Sequence, residues 1–132
     1  MELTFMATMP KPDLLAHREA LRLSTSELVA RVVEILGRKL TAYLGGIEDV
    51  RGVDRWIAGG RLYGDAEERL RLAFQVTRML RDYDSPAVIQ AWMIGMNPEL
   101  EDRVPVRLLR TGKLDEVGPE ILRAARAFLA GG

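Results

Sequence analysis

Arg51 and Arg55 stand four residues apart in the stretch VRGVDRWIA, a spacing that puts both guanidinium groups on one side of a helix. A guanidinium fork binds a phosphate or the O6/N7 edge of guanine, so the pair points to nucleic-acid contact. Arg38 and Lys39 upstream and Arg61 downstream complete a candidate DNA-binding set. Glu48, Asp49 and Asp54 are interleaved with these cations, and two packed helices with solvated charges would show the same pattern. A second constellation is Glu99, Glu101 and Asp102. Clustered carboxylates serve general acid–base chemistry or a cation, but no histidine stands near them, and such a group more often marks a solvated turn. The single histidine, His17, lies on an amphipathic N-terminal segment. With no cysteine there is no disulfide, no thiolate zinc site and no cysteine nucleophile. Gly59-Gly60 and Gly131-Gly132 lack the spacing and the Lys-Ser/Thr of a phosphate-cradling loop. These residues assign no catalytic group, no metal site and no cofactor, and the expectation is a protein that is not an enzyme.

The elements that must position the arginines read as helices. Pro10 and Pro12 precede a helix over 13–23, and Ser24-Thr25-Ser26 offers a cap for the next. In LVARVVEILGRKLTAYL the residues Leu28, Val29, Val32, Val33, Leu36, Leu40, Tyr43 and Leu44 fall on one helical face. Gly37 is placed to break that run. Residues 39–60 have the shape of a helix-turn-helix. Ala42 is small enough for a helix crossing, and Gly46 suits the positive φ of the turn. Asp49 is placed to cap the second helix, and Val50, Val53, Trp56 and Ile57 supply its inner anchors.

Beyond GGRLYGD, Asp65 with Glu68 resembles a capping box. The following helix presents Leu70, Ala73, Phe74, Thr77 and Leu80 on one face. Ser85-Pro86 opens another, with Val88, Ile89, Trp92 and Met93 inward. Asn97-Pro98 ends the apolar run over 92–96. A short helix covers 105–110 and ends at Thr111-Gly112. The last helix starts near Pro119 and carries Ile121, Leu122, Ala125, Phe128 and Leu129. Trp92, Met93, Val104, Leu108 and Leu109 are expected in the core or on a self-association surface. The fold class is all-α, with a break near Tyr63 between two halves that pack together.

Composition bounds the rest. At 132 residues and 48% apolar content the chain can build one compact domain or two very small ones. Nineteen basic side chains against nineteen acidic ones give no net charge, so nucleic acid would have to be held by a local patch. No apolar run approaches the roughly 18 residues of a membrane span, and 1–9 lack a basic leader region. The expectation is a cytoplasmic protein without membrane contact, a home that the lack of cysteine fits.

The segment AWMIGMNPELEDRVPVRLLRTGKLDEVGPEILRAARAFLAG resembles the toxin-binding domain of Xre/MbcA/ParS-type antitoxins. The resemblance is carried, in order, by Ala91-Trp92, Asn97-Pro98 with Leu100, Pro105 with Leu108-Leu109, Gly112, and Val117 before a terminal helix. GRKLTAYLGGIEDVRGVDRWIAGG is similar to the Xre-like helix-turn-helix of the same family. The resemblance covers about 26–131. It implies an N-terminal extension over 1–25, a helix-turn-helix half over 26–63 and a helical toxin-binding domain over 64–132. It also implies a partner, a RES-domain toxin that degrades NAD, whose active site the antitoxin occludes. Operator DNA would be bound by a homo-oligomer, in the first instance a dimer. The expected toxin-facing residues are Asn97, Leu100, Arg103, Arg107 and Arg110, together with the last helix. A stand-alone helix-turn-helix regulator and a scaffolding oligomer are the alternatives.

Overall fold

A computed structural model describes residues 12–131. Among the described residues there are seven α-helices, one short 3-10 helix and no strand, so the fold is all-α. The helices are α1 (Pro12–Arg22), α2 (Thr25–Gly45), α3 (Arg51–Ile57), α4 (Ala66–Arg81), α5 (Pro86–Ile94), α6 (Pro105–Thr111) and α7 (Leu114–Leu129). The 3-10 turn Pro98–Leu100 lies between α5 and α6.

Helix α4 is the centre, and α1, α2 and α7 pack on it. Leu70, Ala73, Phe74, Val76, Met79 and Leu80 are all essentially sealed from solvent. Each large apolar side chain buried this way contributes about 1.5–3 kcal/mol relative to exposure. Thr77 shares the interior because its hydroxyl donates to Ala73 O at 2.8 Å, an internal bond that offsets the cost of burying it. Ala16 and Ala20 of α1 are buried in the same core, and Arg71 of α4 donates to Ala20 O and Leu23 O. The expected N-terminal extension is thus integral to the fold from α1 onward, and residues 1–11 lie outside the described ones.

Local signals explain the helix ends. Ser24 caps α2 in a reciprocal box with Glu27: Ser24 Oγ accepts from Glu27 N, and Glu27 Oε1 accepts from Ser24 N. Gly37 has φ 83 and ψ 169, so α2 is two helical segments joined at a kink, as its position in the sequence predicts. Asp65 makes no side-chain cap, and the predicted capping box at α4 does not form. Helix α7 begins at Leu114 rather than near Pro119. Val117 and Gly118 are buried against Gly112 and Leu72, and that packing holds the first turns helical ahead of the proline.

Helix α2 packs on α4, and polar ties supplement that packing at the C-terminal carbonyls of α2. That helix has no basic residue in its last turn. Cations from the other half take the place: Arg69 Nε donates to Leu44 O at 2.7 Å, and Arg110 Nη1 donates to Tyr43 O at 2.5 Å. The Arg110 guanidinium also lies over the Tyr43 ring, 4.8 Å from its centroid. Both contacts place positive charge where the helix dipole favours it. Replacing Arg110 with alanine is expected to cost about 2 kcal/mol, the worth of a charge-assisted hydrogen bond with a stacked cation. Urea denaturation followed by circular dichroism measures that loss.

Candidate partner-binding surface

Helix α5, PAVIQAWMI, is the most apolar element and has only one polar side chain, Gln90. Ser85 caps it through Val88 N, and Pro86 takes a first-turn position where no amide is needed. Gln90 is tied inward by a bond from Nε2 to Ile35 O at 2.9 Å. Ile89 and Met93 face the core. Val88, expected inward, is 40% exposed instead. A helix apolar on every side belongs in an interior, yet here one side faces out. Ile94 is 57% exposed, and Met96, just past the helix end, is 76% exposed.

Met96 also lines a groove of about 200 Å³ between α5, the Asn97-Pro98 turn and α7. Its apolar lining includes Ala91, Trp92, Met96, Ala124 and Phe128. Trp92 is half-buried and leans on Phe128, with ring centroids 6.3 Å apart and planes tilted by 55°. Glu99 lies on the rim of the groove, and ion pairs lie nearby. Arg123 bonds Glu99 through both its carboxylate and its carbonyl, and Arg103 Nη2 reaches Glu120 at 2.6 Å. Exposed apolar surface beside a polar rim is the usual make-up of a protein–protein contact.

The five residues expected to face a partner separate into two groups. Leu100 has no exposed surface, and Asn97 is 8% exposed. Asn97 is structural: Oδ1 accepts from Glu99 N at 2.9 Å, and its backbone pairs with Arg103. The following acidic turn puts Glu101 and Asp102 in left-handed backbone, and both side chains are exposed. Arg110 is spent on capping α2. Leu100 is therefore buried framework rather than a contact residue, while Asn97 lines the groove and Arg110 is half-buried against α2. Arg103 and Arg107 are exposed, Arg103 already bound to Glu120 and Leu100 O. The exposure of Ile94 and Met96 was not anticipated from the sequence. The signal was legible, since VIQAWMIGM has a single polar side chain, Gln90, and more apolar positions than one buried face accommodates.

The second region is the α2–α3 pair. Gly46 has φ 84, as its place in the turn predicts. Ala42 is buried, and a close approach is also made at Gly45: the Trp56 ring lies against Gly45, where a side chain would collide with it. Gly52 is likewise occupied, by the tip of Ile47. Asp49 Oδ1 accepts from Arg51 N at 2.9 Å, and the same carboxylate holds the Arg51 guanidinium through Nε and Nη2. Arg38 is bonded to Asp54. Two of the five candidate DNA-binding cations thus carry their own counter-charge. Lys39, Arg55 and Arg61 are exposed and form no ion pair among the described residues.

The Arg51 side-chain and backbone bonds hold the Asp49 carboxyl down at about 2, against an ordinary value near 3.9. A depressed carboxyl favours the folded state above its unfolded value, and that contribution fades as pH falls from about 4 through 2. Carbon-detected NMR titration of Asp49 should give a midpoint near 2 in the parent and a return toward the ordinary value in Arg51→Ala.

Among the described residues, no group of three or more histidine, aspartate or glutamate side chains is placed to hold a metal ion, and no helix is long and apolar enough to cross a membrane. No protein-family model matches the chain, and no curated protein or solved structure does.

Proposed function

We propose that this chain is an antitoxin, a binding protein that docks the outward face of α5 on a RES-domain, NAD-degrading toxin and occludes its active site. The exposed apolar side chains Val88, Ile94 and Met96, the last of which lines the Trp92–Phe128 groove, carry the reading. Water contact along an apolar helix is unfavourable, and burial against a partner relieves it. Occlusion uses shape and apolar contact alone and requires no catalytic group. The antitoxin resemblance supports the choice of partner.

The α2–α3 pair contributes operator binding in the same proposal, with a homodimer spanning half-sites about one helical turn apart. Lys39, Arg55 and Arg61 supply the cations, because Arg38 and Arg51 are neutralised locally. A stand-alone regulator is the second reading, and those unpaired cations favour it. The two readings diverge on the adjacent reading frame. A RES-domain gene there, whose product co-purifies with this chain and whose growth arrest this chain relieves, supports the antitoxin. Operator binding without any such complex supports the regulator. A dimer lost on substitution of Ile94 would instead make the α5 face a self-association surface.

A further inference from the structure

A second groove, of about 460 Å³, lies where the end of α2, α3 and the start of α4 meet. Arg55, Arg61 and Arg69 line it together with Tyr63, and no carboxylate does. Arg69 is fixed by its bond to Leu44 O, while Arg55 and Arg61 are exposed and form no ion pair among the described residues. Asp65 and Glu68 sit beyond Arg69, in an adjoining cleft. Gly45, Gly46, Gly52 and Gly60 line the rest of it, with Ile47 and the Trp56 ring packed among them. Gly46 N donates to Tyr43 O and Gly60 N to Arg55 O, so those amides are not available to a ligand. Recognition falls to the guanidinium groups and the Tyr63 hydroxyl.

We infer that this groove binds a phosphate-bearing anion, its oxygens held by Arg55, Arg61 and Arg69. Three arginines match a multiply charged group of several oxygens, which a pyrophosphoryl unit provides and a single carboxylate does not. The volume falls within the range of small-molecule sites. The anion belongs to a free nucleotide-like molecule or to a nucleic-acid backbone. The groove lies apart from the α5 face, and its failure would leave the toxin-binding reading untouched.

Inorganic pyrophosphate is the probe, titrated into the full chain while the amide signals of Gly46 and Gly60 are followed by NMR. Saturable shifts are expected. Arg55→Ala and Arg61→Ala should each weaken binding about tenfold, the usual effect of losing a charge-assisted contact. Both side chains are exposed, and unchanged circular dichroism checks that the variants fold. Arg22→Ala, which removes one exposed charge from α1, should bind as the parent does. Absence of saturable shifts would overturn the inference. So would equal weakening in Arg22→Ala, or equal binding of citrate at matched ionic strength, since either means unselective charge attraction. A DNA duplex that displaces pyrophosphate identifies the source as backbone phosphate, and one that does not identifies a free small molecule. Both outcomes keep the phosphate site.

Discussion

On the proposed antitoxin role, replacing Ile94 and Met96 together with lysine should weaken capture of a RES-domain toxin by at least about a hundredfold while the chain stays folded. Both side chains are more than half exposed, so removing them opens no cavity in the core. Exposed substitutions of this kind usually change stability by less than about 0.5 kcal/mol. Lysine at the end of α5 is also compatible with the helix dipole. At the interface the outcome is different. Two apolar anchors are lost, and two ammonium groups must be desolvated against an apolar surface. Central interface residues cost about 2–4 kcal/mol when truncated, so the pair should weaken binding by at least about a hundredfold. Calorimetry with the purified partner reads the affinity, and thermal melting reads the fold. Ile89→Lys is the contrasting variant. Ile89 is 1% exposed, and a charge there should unfold the chain outright. Retention of tight binding by the Ile94/Met96 variant would move the docking surface elsewhere.

The second large effect concerns two buried glycines of the α2–α3 pair, Gly45 and Gly52. Gly45→Ala should destabilise the protein by about 1–3 kcal/mol, whereas Gly52→Ala should leave it near the parent. A methyl group on Gly45 would stand 2.6 Å from Trp56 Cζ3 and closer still to Cη2. Trp56 is buried at 7% exposure, and a packed indole has no room to retreat. On Gly52 the methyl meets the terminal carbon of Ile47, a flexible side chain that is only half-buried. Displacing it is cheap, and alanine gains up to about 1 kcal/mol of helix propensity over glycine. Urea denaturation of both variants separates the two cases. Similar losses at both positions would mean that the Trp56 packing does not set the α2–α3 geometry. Because α3 carries Arg55, the Gly45 variant should lose pyrophosphate and operator binding together.

Much of the fold was legible because helices announce themselves locally. The apolar face over Leu28 to Leu44, the Ser24 cap, the kink at Gly37 and the glycine turn at Gly46 all follow from nearest neighbours in the chain. The failures have a common cause in tertiary contacts. Nothing near Arg110 in sequence says that it will cap a helix end sixty-seven residues earlier. It is half-buried there, at the end of a helix that has no cation in its own last turn. Asn97 and Leu100 look like surface features of a polar stretch, but the turn closes on itself through the Asn97–Arg103 pairing and draws both inward. Pro119 suggested a helix start because proline favours first turns, and packing of Val117 and Gly118 extended the helix ahead of it. Arg38 and Arg51 show the same limit. Their types fit phosphate, while their neighbours Asp54 and Asp49 already occupy them.

Mixing this chain with the RES-domain protein of the adjacent reading frame and following NAD consumption tests the proposed role most directly. Activity should fall in proportion to added chain, reach zero at a fixed stoichiometry, and survive addition of the Ile94/Met96 lysine variant. NAD consumption that continues undiminished in a molar excess of the parent chain would contradict the account.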